Sequence, residues 1–182
     1  MTGDHARRQR LSELFAAHAD QVLRYAMRHL DRPGANDIVS DTFLVAWQRV
    51  DDIPDPALPW LLVVARNSIR NRVRSNTRRQ RATMNVLALE RAAATAAAAD
   101  ELALERESLI RALGRLTDDQ REALLLVAWD GLSAAEAAAV MGCSRATFDV
   151  RLHRARKRLQ QTLRDDDDPH PEPIPDLTES RS

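Results

Sequence analysis

Repeated signals for the start and the end of short helices, between residues 116 and 144, constrain the fold of this chain most strongly. The segments LTDDQ and LSAAE, which begin at Leu116 and Leu132, each place a hydroxyl side chain three positions before Gln or Glu. This pattern is a capping box, which satisfies free backbone N–H groups at the start of a helix. Gly131 and Gly142 follow the apolar segments, and a glycine at such a place commonly ends a helix. The spacing therefore predicts three consecutive helices joined by tight turns.

The composition favours helices in the rest of the chain as well. Aromatic residues make up only 4% of the 182 residues and there are five glycines, whereas Ala, Leu and Arg, which favour helices, are abundant. Apolar residues recur at helical spacing from Arg8 to Leu30, and Asn36 is a candidate N-cap for a second helix. A third helix begins near Trp60, after a loop rich in proline. We expect an all-α protein.

Charge and composition divide the predicted helices into two domains. Residues 8–81 form a helical bundle, residues 82–108 an Ala-rich acidic linker, residues 109–164 a helix-turn-helix domain and residues 165–182 a disordered acidic tail. The net charge is +5 over residues 1–81, −3 over 82–108, +4 over 109–164 and −6 over 165–182, although the whole chain is neutral. The sequence therefore predicts two basic helical domains separated by an acidic linker.

Several functional classes find no support in the sequence. Cys143 is the single cysteine, so an internal disulfide and a cysteine-clustered zinc site are excluded. No Gly-rich phosphate loop, no nucleophile motif and no ligand-like pair of histidines is present. No apolar run approaches the roughly 18 residues of a membrane span. We expect a cytoplasmic protein that is not an enzyme, does not insert into a membrane, and needs no metal and no cofactor.

The most basic part of the second domain is the predicted helix in the segment MGCSRATFDVRLHRARKRL, which begins at Met141. If its apolar residues face the core, the basic residues lie opposite, as in a recognition helix whose first turns reach base edges in the major groove. Arg145 and Arg151 are the strongest candidates for base contacts, with Thr147 beside them. A solvated basic face without a ligand is the alternative. The candidates for phosphate contacts, further along the helix, are Arg154, Lys157 and Arg158.

The first domain contains a second basic tract, RNSIRNRVRSNTRRQR, with seven Arg and no acidic residue. Arg66, Arg70 and Arg74 are spaced four positions apart, so they share one helix face. Asn67 and Asn71 interleave with them and offer amide groups that can hold single-stranded bases. An Arg-rich face alone would serve any polyanion.

Two neighbouring features of the first domain also suggest binding. Trp60 precedes the Arg-rich tract and could stack on a base, although packing in the core is the commoner role for such an aromatic. Asp37 and Asp41 lie on one face of the preceding helix beside Leu44 and Val45. A mixed acidic and apolar surface suits a basic protein partner, and a solvated helix face is the alternative.

Three segments together resemble a known family. DIVSDTFLVAW, PWLLVVARNSIRN and the segment from LTDDQ to RKRL look like bacterial RNA polymerase sigma factors of the sigma-70 family, and they follow the family's order. The short two-domain form resembles the extracytoplasmic-function (ECF) group. The resemblance covers about residues 10–80 and 108–162.

The resemblance implies a role for each group of candidate residues. The helical bundle would correspond to sigma region 2, which recognises the −10 promoter element, and the helix-turn-helix domain to sigma region 4, which recognises the −35 element. The residues implied in binding core polymerase are Asp37, Asp41, Leu44 and Val45. The residues implied at the −10 element are Asp51, Asp52, Asp55, Trp60, Asn67, Arg70, Asn71 and Arg74. The residues implied at the −35 element are Arg145, Thr147, Arg151, Arg154, Lys157 and Arg158.

We therefore expect a sigma factor that binds core RNA polymerase and promoter DNA and directs promoter-specific initiation. The family implies an anti-sigma factor as a further partner. A stand-alone helix-turn-helix repressor or activator is the alternative. Asp149 and Val150 depart from the family's recognition helices, which often carry a basic and a small polar residue there, so the resemblance does not imply the promoter sequence.

Overall fold

The structure is a computed structural model that describes residues 2–75 and 103–167, and these residues are helical apart from short connections. The helices of the first part are α1, α2 and α3, followed in the second part by α4 to α7. The expected all-α class is confirmed. Residues 82–102 of the predicted linker and 168–182 of the predicted disordered tail lie outside the described residues, whereas residues 103–108 and 165–167 are helical. The bounds are Thr2–Met27 for α1, Arg32–Gln48 for α2, Ala57–Ser75 for α3, Ala103–Gly114 for α4, Asp118–Ala128 for α5, Ala134–Met141 for α6 and Arg145–Asp167 for α7.

Helices α1, α2 and α3 pack against one another around an apolar core. The core side chains come from the helix faces that the periodicity of the sequence predicts. A short 3₁₀ turn at Val50–Asp52 connects α2 to the loop before α3. Fully buried members of this core include Val22, Tyr25, Ile38, Val50, Leu61 and Leu62.

Three helix starts in the first part differ from the sequence predictions. Helix α1 begins at Thr2 rather than near Arg8. Asn36 does not cap α2, because the Asp31 carboxylate already accepts the Gly34 N–H at 3.0 Å and starts the helix at Arg32. A proline in a first turn is tolerated because its missing N–H would have no helical partner there. Pro59 likewise lies in the first turn of α3, which begins at Ala57, so the predicted loop ends earlier than expected.

The predicted cap and stop signals of the second part are confirmed. Thr117 and Ser133 each form a complete capping box, with Gln120 and Glu136 respectively. Gly142 adopts the left-handed conformation with φ 65°. The N–H of Cys143 donates to the carbonyl of Ala138 at 3.1 Å, and that of Gly142 donates to the carbonyl of Ala139, also at 3.1 Å. This paired arrangement is a Schellman motif, and it sets the turn between α6 and α7.

Candidate nucleic-acid interface

Helix α7 is held by its first turn and by one apolar face. The Ser144 hydroxyl accepts the Thr147 N–H at 3.2 Å and so caps the helix. Phe148, Leu152 and Ala155 are buried against the rest of the domain, as their spacing predicts. The side of α7 opposite these residues is therefore directed to solvent. We call this side the outward face; its exposed members in the first four turns are Ala146, Val150, His153, Arg154 and Lys157.

The three candidate base readers each have an intramolecular partner. Arg145 donates from Nε to both carboxylate oxygens of Asp149 at 2.9 Å. Arg151 forms an ion pair of 3.1 Å with Asp119, and only 25% of its side chain is exposed. The Thr147 and Ser144 hydroxyls lie 2.9 Å apart. Arg145 therefore keeps its two terminal nitrogens available, whereas Arg151 is drawn toward the N-terminus of α5.

The three candidate phosphate ligands are exposed and carry net positive charge. Arg154, Lys157 and Arg158 are all exposed, and none of them forms an ion pair within the part of the chain that the structure describes. A cavity of about 540 Å³ separates the start of α5 from α7, and Arg154 is among its lining residues. The exposed cations without an ion-pair partner thus lie in the middle turns of α7.

The residues predicted for the −10 element lie in the loop before α3 and along α3. Asp52 and Asp55 are exposed, and Asp51 forms an ion pair of 3.2 Å with Arg7. Trp60 is partly buried and packs against the core, which is the commoner role for such a residue. Exposed residues of α3 are Asn67, Arg70 and Asn71, and the side chain of Arg74 lies outside the described residues.

The residues predicted for core polymerase share one side of α2. Asp41 is exposed, Val45 is partly buried and 58% of Leu44 is exposed. Asp37 forms an ion pair with Arg72 of α3. Both Asp37 and Asp41 also line a cavity of about 460 Å³ between α2 and α3. Asn71 lines the same cavity, so the candidate polymerase and −10 residues adjoin.

A set of contacts between the two parts of the chain, which we call the interdomain ion-pair cluster, was not predicted from the sequence. Arg28 binds Asp130 through both terminal nitrogens, at 2.8 and 2.6 Å, and the two side chains are only 7% and 4% exposed. Glu122 accepts hydrogen bonds from Arg66 Nε at 2.8 Å and from the Tyr25 hydroxyl at 2.8 Å. Arg66, which shares a predicted helix face with Arg70 and Arg74, binds the second domain through this cluster.

Three titratable groups in or beside this cluster, Tyr25, Glu122 and His29, have shifted pKa values. Burial, reinforced by the Glu122 carboxylate, raises the pKa of the Tyr25 hydroxyl well above its ordinary value, so Tyr25 stays a neutral donor. Burial also lowers the pKa of His29, because a protonated imidazole loses its hydration, and the neighbouring Glu122 offsets this only in part. Burial by itself would raise the pKa of Glu122, but the hydrogen bond from Arg66 and the surrounding positive charge lower it.

Comparison with protein families decides what these helices belong to. The description "Sigma-70 region 2" matches residues 14–79, and "Sigma-70, region 4" matches residues 106–159. The ECF RNA polymerase sigma factor SigL of Mycobacterium tuberculosis is 34% identical over 160 residues, which cover 84% of this chain and 88% of SigL. The chain belongs to the sigma-70 family, in its ECF group. Like the family, this sigma factor binds core RNA polymerase and directs transcription from specific promoters.

Other relatives of this sigma factor agree with that assignment. EcfG of Rhodopseudomonas palustris is 36% identical over 131 residues, covering 71% of each chain. The solved structure of RpoE with the anti-sigma factor NepR, from Bartonella quintana, superposes with a TM-score of 0.61 at 26% identity, covering 84% of this chain and 96% of RpoE. CnrH in complex with the cytosolic domain of CnrY superposes with a TM-score of 0.58 at 29% identity, covering 86% and 88% of the two chains.

Two kinds of feature are not found among the described residues. Among them, no three His, Cys, Asp or Glu side chains are grouped so that they could hold a metal ion. None of the described helices has the length and apolarity that a membrane crossing requires. Sigma factors are, in general, regulatory subunits without catalytic activity.

Proposed function

We propose that this sigma factor divides promoter recognition among three helix faces. Helix α2 contacts core polymerase, the loop before α3 together with α3 holds the opened −10 element, and the outward face of α7 recognises the −35 element. The observation that carries this proposal is the position of the unpaired cations Arg154, Lys157 and Arg158 on the recognition helix of the segment matched by region 4. We keep residues 8–81 and 109–164 as the proposed domain bounds.

Binding energy, rather than chemistry, performs each of these steps. Cations on α7 displace counterions from DNA phosphates, so each phosphate contact adds a slope of about 0.9 to the dependence of log affinity on log salt. Asn67, Arg70 and Asn71 are exposed on α3, where amide and guanidinium groups can hold unpaired bases and the adjacent backbone. The opened strand is stabilised because these contacts are made only after the duplex separates.

The acidic and apolar side of α2 supports binding to core polymerase. The exposed Leu44 and Asp41 offer an apolar centre beside a carboxylate, which suits a partner surface with complementary positive charge. Leu44→Ala is expected to weaken core binding, whereas Ser12→Ala, on an exposed position of α1, should not change it. Equal affinities for core polymerase would remove Leu44 from the proposed interface.

We also infer an anti-sigma partner and a cytoplasmic location. Among the solved relatives, RpoE is in complex with the anti-sigma factor NepR, and CnrH is in complex with the cytosolic domain of CnrY. Core polymerase works where DNA is transcribed, which for a bacterial sigma factor is the cytoplasm. Purification of the sigma factor from its native cell, with identification of the protein that co-purifies and inhibits transcription, tests this inference.

A run-off transcription assay tests the proposed function most directly. Purified sigma factor is mixed with core polymerase that lacks any sigma subunit, on a template library that includes the region upstream of its own gene. Discrete transcripts that require both components are expected, and their start points identify the −10 and −35 elements. Tight duplex binding by the isolated protein without initiation would favour a stand-alone repressor instead.

A further inference from the structure

The centre of the outward face of α7 is apolar. Val150 exposes 51% of its surface, and Ala146, one helical turn earlier, is also exposed. A β-branched residue is a poor choice for an exposed helix position, because it loses side-chain freedom there without gaining burial. The core residues Phe148 and Leu152 occupy the other side of the helix, so Val150 contributes nothing to that core.

The charges next to Val150 are neutralised within the protein. Asp149 is bound by Arg145 at 2.9 Å, and Arg151 is bound by Asp119 at 3.1 Å. The charges of Asp149 and Arg151, on either side of Val150, are therefore balanced by ion pairs within the protein. The unpaired cations Arg154 and Lys157 follow at four and seven positions, or about 6 and 10 Å along the helix axis by the rise per residue. An apolar centre thus adjoins a cationic border.

This arrangement matches the chemistry of a major groove. Phosphates border the groove, and base edges form its floor; among the four bases, only thymine presents a methyl group there. A recognition helix directs its first turns to the floor, and Ala146 and Val150 lie in the first two turns of α7. We propose that Val150, together with Ala146, contacts the methyl group of a thymine in the −35 element and makes that thymine a determinant of promoter choice. This inference rests on the proposed function of α7.

The pair formed by Arg145 and Asp149 has a place in the same contact. Because Asp149 takes the Nε–H of Arg145, the guanidinium presents its two terminal nitrogens, the arrangement that binds the O6 and N7 atoms of a guanine. Asp149 therefore orients the guanidinium of Arg145. The departure of residues 149 and 150 from the family pattern thus becomes a change in the bases read rather than a loss of recognition.

Replacement of thymine by deoxyuridine tests the proposal, since it removes the methyl group alone. Holoenzyme assembled from core polymerase and the full sigma factor is bound to the promoter identified by run-off transcription, with each −35 thymine replaced in turn on either strand. At one or two positions the affinity should fall about fourfold, as expected for one methyl group removed from water. Val150→Ala should lose affinity on thymine DNA but show no further loss at those positions with deoxyuridine.

Gln160→Ala, an exposed change near the end of the same helix, is the matched control and should respond to deoxyuridine like the unaltered protein. If the affinity losses caused by Val150→Ala and by deoxyuridine are additive, the side chain and the methyl group do not contact each other, and the inference is overturned. So would a −35 element without thymine, or no response to deoxyuridine at any position. A Val150→Ala variant that loses affinity for core polymerase in the absence of DNA would assign Val150 to a protein interface, and would also overturn the inference.

The proposed function fails in a different way. If initiation does not depend on the −35 sequence at all, scrambling that element leaves transcription unchanged, and α7 has no role in recognition. If scrambling abolishes initiation while deoxyuridine has no effect, α7 recognises the element and only the thymine contact is wrong. The two outcomes are therefore distinguishable in one set of templates.

Discussion

The ion pairs between the domains and the ion pair at the start of α7 combine the same kinds of side chain in opposite surroundings. Arg28 and Asp130 are 7% and 4% exposed, whereas Arg145 and Asp149 are 57% and 49% exposed. A buried charge without a partner is strongly unfavourable, and an exposed one is hydrated almost as well as before. The first kind of pair therefore fixes how the domains contact each other, and the second leaves the terminal nitrogens of Arg145 directed to solvent.

This difference also separates the two basic helices. Arg66 on α3 binds Glu122 through two nitrogens and donates a third hydrogen bond, of 3.2 Å, to the carbonyl of Met141. Arg154 and Lys157 on α7 have no comparable partner among the described residues. The basic composition of the two helices does not reveal which arginines are paired. Burial and the position of the nearest carboxylate determine it.

Removal of one partner from the buried pair should have the largest effect. In Asp130→Ala, the guanidinium of Arg28 is left without its carboxylate, so the free energy of unfolding should fall by about 3 kcal/mol. Urea denaturation followed by circular dichroism measures the change. The double variant Arg28→Met with Asp130→Leu should recover most of the loss, because two apolar groups need no partner. If the free energy of unfolding falls equally in the single and double variants, the loss does not come from the unpaired charge of Arg28.

Acidification should weaken the protein by a smaller amount. Burial lowers the pKa of His29 below its ordinary value of about 6.5. As the pH is lowered through this value, the unfolded state takes up a proton more readily than the folded state, so the free energy of unfolding decreases. The lowered pKa of Glu122 adds a second loss, which begins below about pH 4.5 as the unfolded carboxylate takes up its proton. The charges of Arg28 and Arg66 also lower the pKa of His29, and the charge of Asp118 raises it.

Thermal unfolding between pH 7.5 and 5.5 measures the first of these losses. The variant His29→Gln cannot take up the proton and should show a flatter pH profile in that range. A slope that is the same in His29→Gln would assign the loss to other groups.

The exposed pair should affect stability least. Asp149→Asn is expected to change the free energy of unfolding by no more than about 0.5 kcal/mol, the usual value for an exposed pair one turn apart. Its effect should appear in DNA binding instead, where the positive charge added on α7 itself raises non-specific affinity at low salt. The control Asp4→Asn breaks the exposed pair with Arg8 on α1 and should change stability as little, without altering DNA binding.

Local signals explain the part of the fold that could be predicted. The capping boxes at Thr117 and Ser133 and the stop at Gly142 depend on residues within one helical turn, so the sequence contains all the necessary information. The start of α2 could not be predicted as well, because Asp31 and Asn36 are both suitable caps and the choice depends on which carboxylate or amide meets a free N–H. Here Asp31 meets Gly34.

Long-range contacts explain the part that could not be predicted. Arg66 and Glu122 lie 56 positions apart, and Arg28 and Asp130 lie 102 positions apart. Neither pair has a local pattern that distinguishes it from the other arginines and acids of the chain. The sequence therefore did not reveal that Arg66, on the predicted basic face of α3, binds Glu122. The exposure of Asn67, Arg70 and Asn71 agrees with their predicted role but does not test it.

The local capping of α6 and α7 has a consequence for how such proteins diversify. Because Ser133, Gly142 and Ser144 set the helix ends, and Phe148 fixes the buried side of α7, substitutions at Ala146 and Val150 alter neither the turn nor the core. If the outward face of α7 reads the −35 element, as proposed above, a gene copy can acquire a different promoter preference through a few mutations on that face while its fold is retained. The set of genes under its control can change faster than the protein that controls them.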